Sequence, residues 1–350
     1  MVQTDIKKTD IKSMNLEELT QYFTGKGEKA FRAKQVYQWL HQKMAADASQ
    51  MTNLPKDLRG WMAKQCELAM LKPIECQVSR QDGTRKYLFA LSDGPMIESV
   101  LMKYKFGNSV CISSQAGCRM GCTFCASAIG GLVRNLSPSE MLEQVYQIST
   151  DIGERVSHVV VMGTGEPLDN YDNLIKFIEI ITDEKGLNIS QRNITVSTSG
   201  IVPRIRELAE KKLQITLALS LHASSQEIRK KLMPVASQYE LSEVFAACDD
   251  YFAKTGRRMT YEYSLIHGLN DTEDDAERLC ALFKGKNCHL NLIPVNPVRE
   301  RSYKQPAAAV TAAFKNKLEK KGINVTIRRE LGRDIDGACG QLRKRYLDGI

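Results

Sequence analysis

From residue 110 onward the chain alternates short apolar, β-branched runs with amphipathic stretches, and this alternation restricts the possible fold more than any other feature. The strand-like runs are VCISS (110–114), HVVVMG (158–163), NITVSTS (193–199), ITLALSLH (215–222), MTYEYSLI (259–266), HLNLIPV (289–295) and NVTIRR (324–329). Helical segments such as PSEMLEQVYQIS and TEDDAERLCALF separate them. Strands joined through helices pair in parallel, and apolar runs this short suit a sheet covered on both faces. Six or seven such units predict an α/β fold, a full or partial barrel, with its chemistry gathered at the C-terminal ends of the strands.

The chain before the barrel reads differently. Residues 1–75 form an expected helical accessory domain, in which LEELTQYF, FRAKQVYQWLHQKM and LPKDLRGWMAKQCELAM repeat apolar residues at helical spacing. Gly25 and Gly27 end the first helix, and Pro55 suits the opening turn of the third. Trp39 and Trp61 both fall here, with the expected role of filling a small core. Residues 76–104 read as a β-hairpin linker, with an Asp82-Gly83 turn in SRQDGTRKYLFAL followed by the strand MIESVLMKY. The core barrel is expected over 105–335 and a C-terminal segment over 336–350.

Composition excludes disordered and membrane-spanning classes: 350 residues are 43% hydrophobic and 26% charged, and no apolar run approaches a bilayer span. The opening MVQTDIKKTDIK has no apolar signal region, so a cytoplasmic location is the expectation. The net charge is +8. Residues 299–350 carry thirteen Lys or Arg against six Asp or Glu, so most of the excess lies there. A polyanionic partner fits that bias, and so does a solvated basic helix face.

Ten cysteines in a chain with no secretory signal suggest thiols, metal ligands or catalysts rather than a disulfide framework. Cys66, Cys76, Cys111, Cys248, Cys280 and Cys288 are isolated, as small buried hydrophobes are. Cys118, Cys122 and Cys125 instead share one loop, CRMGCTFC, just after the first barrel strand. Three thiolates without a nearby fourth ligand suit an iron–sulfur cubane with one open iron; a zinc site completed by a distant histidine and coincidental core cysteines are the alternatives. Cys339 lies in the glycine-flanked GRDIDGACG, which is unsuited to a core helix.

CRMGCTFC, with Phe124 before its last cysteine, resembles the radical S-adenosylmethionine signature. GTGEP (163–167), STSG (197–200), SLH (220–222), IPVNP (293–297) and DIDGACGQL (334–342) extend the resemblance to the RlmN/Cfr family of radical rRNA adenosine methyltransferases, nearer its RlmN branch. The likeness spans nearly the whole chain. It implies a radical SAM partial (βα)6 barrel and a [4Fe–4S] cluster on Cys118, Cys122 and Cys125. It also implies two S-adenosylmethionine molecules per turnover, one as methyl donor and one as radical source. Gly165, Glu166, Ser197, Ser220, Leu221, His222 and Asn296 are the implied cofactor contacts.

The resemblance further implies that Cys339 carries the methyl group, that its radical form adds to adenine, and that Cys111 attacks Cys339 to free the product. A transient disulfide would remain. Glu98 matches the family's proton acceptor. A radical route suits the target, because adenine C2 is electron-poor and offers no lone pair to a methyl sulfonium. The implied substrates are an adenosine in the peptidyl-transferase region of 23S rRNA and one beside the tRNA anticodon, with Cfr-type C8 methylation as the alternative reaction. An external electron donor such as a flavodoxin and a monomeric state complete the expectation. Arg328, Arg329, Arg333, Arg343, Lys344 and Arg345 flank Cys339 and are expected to meet phosphate, and the target base must be unstacked to react.

Overall fold

A computed structural model describes residues 8–68, 71–296, 301–335 and 341–347 of the chain. Its first unit comprises β1 (Thr9–Asp10), α1 (Leu16–Gly25), α2 (Ala30–His41), α3 (Lys56–Gln65) and β2 (Cys66–Glu67). Asn15 starts α1 with a reciprocal cap, accepting from the Glu18 N–H while the Glu18 carboxylate accepts from its own. The third helix ends sooner than its apolar spacing predicts. Cys66 turns extended because β1 offers β2 a parallel partner, and that tertiary pairing outweighs the local helical preference. Leu19, Phe23, Val36, Tyr37, Leu40 and Met62 form the fully buried centre. The two tryptophans are only partly buried at its margin, Trp61 edge-on to Phe23 and Trp39 donating to Asn53 Oδ1 at 2.6 Å.

Next comes an antiparallel wing of β3 (Leu71–Val78), β4 (Arg85–Leu91), β5 (Met96–Tyr104) and β6 (Gly107–Cys111). The Asp82-Gly83 turn lies where the sequence predicts it, closed by Ser79 N–H donating to the Thr84 carbonyl at 2.8 Å, with Gly83 at φ +73°. A small separate pair, β7 (Gln115–Gly117) and β8 (Leu132–Asn135), brackets the cysteine loop.

The remaining units are α4 (Pro138–Ile152), β9 (Val156–Val161), α5 (Tyr171–Thr182), β10 (Ile194–Thr198), α6 (Val202–Glu210) and β11 (Thr216–Ser220). They continue through α7 (Gln226–Leu232), α8 (Leu241–Thr255), β12 (Met259–Leu265), α9 (Glu273–Leu282), β13 (Cys288–Pro294), α10 (Ala308–Lys320), β14 (Asn324–Ile327) and α11 (Gln341–Leu347).

Among the described residues one ten-stranded sheet runs β14-β13-β12-β11-β10-β9-β6-β5-β4-β3. From β6 through β9 to β14 every pairing is parallel. The order has two free ends, so the barrel is partial. The strands read as a linker are its antiparallel extension. Apolar residues such as Val159, Val196, Leu217, Leu219, Tyr261 and Leu290 belong to the core cluster shared with the helices. The register aligns the alternate positions across neighbouring strands: Ser197 with Ala218, Ser220 with Glu262, and Glu262 with Asn291. The sequence suggests strands apolar on both faces; instead one face carries hydroxyl, amide and carboxylate groups, because it lines a cavity.

Polar groups dock the helical unit on the barrel. Lys12 is fully buried, its Nζ bound to the Glu143 carboxylate of α4 and to the Leu68 carbonyl. His41 Nδ1 lies 2.9 Å from the Tyr146 hydroxyl. At the other end, chain beyond β14 returns to the wing, where Gly332 N–H donates to Asp82 and Asp334 accepts from Ser79 and Arg80. Among the described residues no helix is long and apolar enough to cross a membrane.

Candidate active site

The cysteine loop is built by a close backbone crossing. Gly117 has φ +82°, and a Cβ there would lie 2.1 Å from the Gly131 carbonyl oxygen, so only glycine lets β7 and β8 approach. Within the loop, Thr123 N–H donates to Leu232 O at 2.9 Å and Cys118 N–H to Gly131 O at 3.0 Å. Phe124 packs edge-on against His222, with ring centroids 4.8 Å apart. Cys118, Cys122 and Cys125 thereby share one cavity wall.

Burial pushes the Cys118 thiol up to about 12 and raises Cys122 as well, with the neighbouring thiols adding to the effect at Cys122. Such groups ionise only when a cation joins them. Among the described residues no three His, Cys, Asp or Glu side chains converge on one metal ion. Three cysteine thiols on one cavity wall are a donor set suited to an iron–sulfur cluster.

That cavity, about 260 Å³, opens at the C-terminal ends of β9 to β13. Its floor depends on two glycines: a Cβ on Gly163 would meet the Ile112 backbone at 2.7 Å, and one on Gly165, at φ +114°, the Gln115 Cβ at 2.6 Å. Glu166 follows directly and is buried, which raises its carboxyl above the ordinary range. Three backbone contacts hold it: Oε1 accepts from Leu168 N–H, Oε2 from Ser199 N–H, and its own N–H donates to Gln115. The Thr198 and Ser199 side chains interact with it as well.

Ser197 and Ser220 end adjacent strands with hydroxyls 3.3 Å apart. His222 sits in the left-handed region at φ +54°, and its Nδ1 accepts from the Ser264 N–H at 2.9 Å. Burial, with Arg229 nearby, lowers this imidazole to about 3. It is neutral, and its proton is therefore assigned to Nε2. Asn296 lies exposed at the rim. Leu221 is not on the cavity wall; it is buried in the core, with its N–H donating to the Glu262 carbonyl.

A second cavity of about 360 Å³ adjoins the first, sharing Met162, Gly163, Ile293, Asn296 and Arg328. Glu98 and Cys111 line it from adjacent strands, together with Arg329 and Arg333. Burial raises the Cys111 thiol, an effect that Arg328 and Lys86 oppose. Glu98 is buried, 2.9 Å from Lys86 Nζ, and it accepts the Arg343 N–H. Arg345 pairs with Glu75 on the wing. Cys339 lies outside the described residues, as does the Lys344 side chain.

Two residues on these walls were not singled out from the sequence. Glu262 faces the first cavity, buried and bound to Asn291 Nδ2 at 2.8 Å. Lys86 is a fully buried cation inside a strand. Each stands among apolar and aromatic neighbours, in MTYEYSL and RKYLFAL, and that interruption was the available signal.

The family model "Radical SAM superfamily" matches residues 112–280 and "Ribosomal RNA large subunit methyltransferase N-terminal domain" matches 9–68. The chain is 61% identical over 342 residues to a "Probable dual-specificity RNA methyltransferase RlmN" of Lachnospira eligens, with 98% of each chain covered. It is 60% identical to the protein of that description from Lachnoclostridium phytofermentans, covering 99% of this chain and 98% of that one. Among solved structures, a radical SAM methyltransferase from Sphaerobacter thermophilus superposes with a TM-score of 0.91 at 41% identity, over 95% of this chain and 98% of that one.

Proposed function

The chain belongs to the RlmN family of radical S-adenosylmethionine methyltransferases, and from that membership we propose that it methylates C2 of an adenosine in the peptidyl-transferase centre of 23S rRNA and of the adenosine beside the tRNA anticodon. The observation that carries this reading is the pair of joined cavities, one walled by the three thiols and the other by Glu98 and Cys111. A radical generated in the first has a short, protein-lined route to chemistry in the second.

Cys118, Cys122 and Cys125 would hold a [4Fe–4S] cluster. When bound, the cluster and S-adenosylmethionine supply the electron and the carbon radical that an unactivated C2 requires. Glu166 would take the cofactor's ammonium, and the Ser197 and Ser220 hydroxyls, the His222 Nε2–H and the Asn296 amide offer it further hydrogen bonds. Cys339 would take its methyl group from one S-adenosylmethionine, and a second would supply the radical chemistry, two per turnover. Electrons come from an external donor such as a flavodoxin, and the enzyme acts as a cytoplasmic monomer.

Once the Cys339-borne carbon is attached, the adduct radical would return one electron to the cluster held by Cys118, Cys122 and Cys125, and in the second cavity Glu98 accepts the proton that C2 loses. Cys111, as thiolate, attacks the Cys339 sulfur: an S–S bond forms, the S–C bond breaks, and the departing carbon takes up a proton to become the methyl group. Arg328 and Lys86 favour that thiolate. Arg328, Arg329 and Arg333 border the cavity where RNA phosphates must pass.

Nucleoside mapping by mass spectrometry, after reaction of anaerobically reconstituted enzyme with rRNA and tRNA, tests substrate and position together. 2-Methyladenosine is expected, and 8-methyladenosine would overturn the choice of carbon. Cys111→Ala should trap an RNA adduct that Cys339→Ala never forms; adduct-free loss in both would reject these roles.

A further inference from the structure

Lys86 is an unusual residue to find fully buried in a strand. Its side chain has no solvent exposure, on a strand that begins with Arg85 and continues as Tyr87, Leu88, Phe89, Ala90 and Leu91. The desolvation of a buried ammonium is costly unless an anion shares the site. The anion here is Glu98, itself 3% exposed, with Oε2 2.9 Å from Lys86 Nζ. Register explains the meeting: Leu88 lies opposite Glu98 and Lys86 opposite Val100, so Lys86 and Glu98 are diagonal neighbours on one face of β4 and β5. The same face carries Cys111, which lies opposite Val100 on β6.

We propose that Lys86 is a positioning residue for the reaction, holding the Glu98 carboxylate aimed into the second cavity so that it is ready to receive a proton. This rests on the reading of Glu98 as proton acceptor and extends it to a residue that does not touch the RNA. The geometry around Glu98 leaves it little freedom. One carboxylate oxygen faces Lys86, the other accepts the Arg343 N–H, and its backbone carbonyl accepts the Ser113 hydroxyl at 2.7 Å. Among the described residues, the charged and titratable groups that touch it or line its cavity are Lys86 from β4, Tyr104 from β5, Cys111 from β6, Arg328, Arg329, Glu330 and Arg333 from the chain beyond β14, and Arg343 from α11. Lys86 pairs with its carboxylate at hydrogen-bonding distance while fully buried. A cation at hydrogen-bonding distance favours the charged form of a carboxylate, and its loss favours the neutral one.

The test uses anaerobically reconstituted full-length enzyme with an in vitro tRNA transcript. It follows three quantities across pH 6 to 9.5: 5′-deoxyadenosine formed, RNA adduct on a denaturing gel, and methyladenosine released. Lys86→Met is expected to form 5′-deoxyadenosine within about twofold of wild type, because the first cavity is untouched. Adduct should accumulate at neutral pH, and the midpoint of adduct resolution should rise by at least one pH unit. Lys86→Arg, which keeps the charge, should restore the wild-type midpoint.

Mapping Cys111 alkylation against pH by mass spectrometry separates a changed carboxylate from a changed thiol; a midpoint that tracks Cys111 alone would overturn the proposal. So would an unchanged midpoint in Lys86→Met, or an equal loss of 5′-deoxyadenosine and product. If Lys86→Met fails to retain iron, Lys86→Gln, which keeps a donor without charge, carries the same expectations. Glu98→Gln distinguishes the two levels: resolution at the wild-type rate there would refute the proton-acceptor reading itself.

Discussion

Asp334 reaches from the chain beyond the last strand to the opposite wing of the sheet, where its carboxylate accepts the Ser79 hydroxyl at 2.6 Å. The same carboxylate takes the Arg80 N–H at 2.8 Å, and Asp82 answers by accepting the Gly332 N–H at 2.9 Å. These reciprocal contacts tie the two free ends of the open sheet together beside the second cavity. Asp334→Ala should therefore raise hydrogen exchange over residues 330–335 and lower methyl product about tenfold, while 5′-deoxyadenosine formation persists. Unchanged product yield would show that the tie is incidental.

Docking of the helical unit depends on a buried ion pair. Lys12 and Glu143 are 0% and 6% exposed, and losing one partner strands the other's charge. Lys12→Met alone should cost about 3–5 kcal/mol, whereas Lys12→Met with Glu143→Leu should recover most of that loss. Urea unfolding of the three proteins checks it, and a double variant no better than the single one would contradict the account.

Glycine has opposite value at two positions. Gly165→Ala meets both a forbidden φ and a contact at 2.6 Å, so strain of about 1–3 kcal/mol or more and a large loss of cofactor binding are expected. Gly60 lies within α3 with nothing within 4 Å of a Cβ, and Gly60→Ala should stabilise by about 0.5–1 kcal/mol. Thermal melting and cofactor titration compare them; a Gly165→Ala protein that melts and binds like wild type would refute the close-packing argument.

Acid sensitivity should come from two histidines. Burial lowers both His41 and His222 to about 3, the former with Lys12 nearby and the latter with Arg229. In the unfolded chain both bind protons near pH 6.5. The unfolded state thus holds more protons between pH 6.5 and about 3, and stability falls as pH drops through that window. The two together should contribute about 2.7 kcal/mol per pH unit in its middle. Denaturant titrations from pH 4.5 to 6.5 measure the slope, and His41→Phe should remove about half of it. An unchanged slope would mean that His41 already carries its proton when folded.

What could be read along the chain was whatever local spacing encodes. Short apolar runs alternating with helices specify a parallel sheet, CRMGCTFC puts three thiols on one loop, and Asp82-Gly83 marks a turn, because each depends on residues within a few positions of one another. Even the polar alternation in TVST and YEYS was present, though its meaning required a cavity. Partnership across strands was a matter for tertiary structure alone. Lys86, Glu98 and Cys111 meet because β4, β5 and β6 pair in one particular register, and a shift of one residue would turn each to the other face. Arg328 joins them only because the last parallel strand ends beside the same cavity, more than two hundred residues later in the chain.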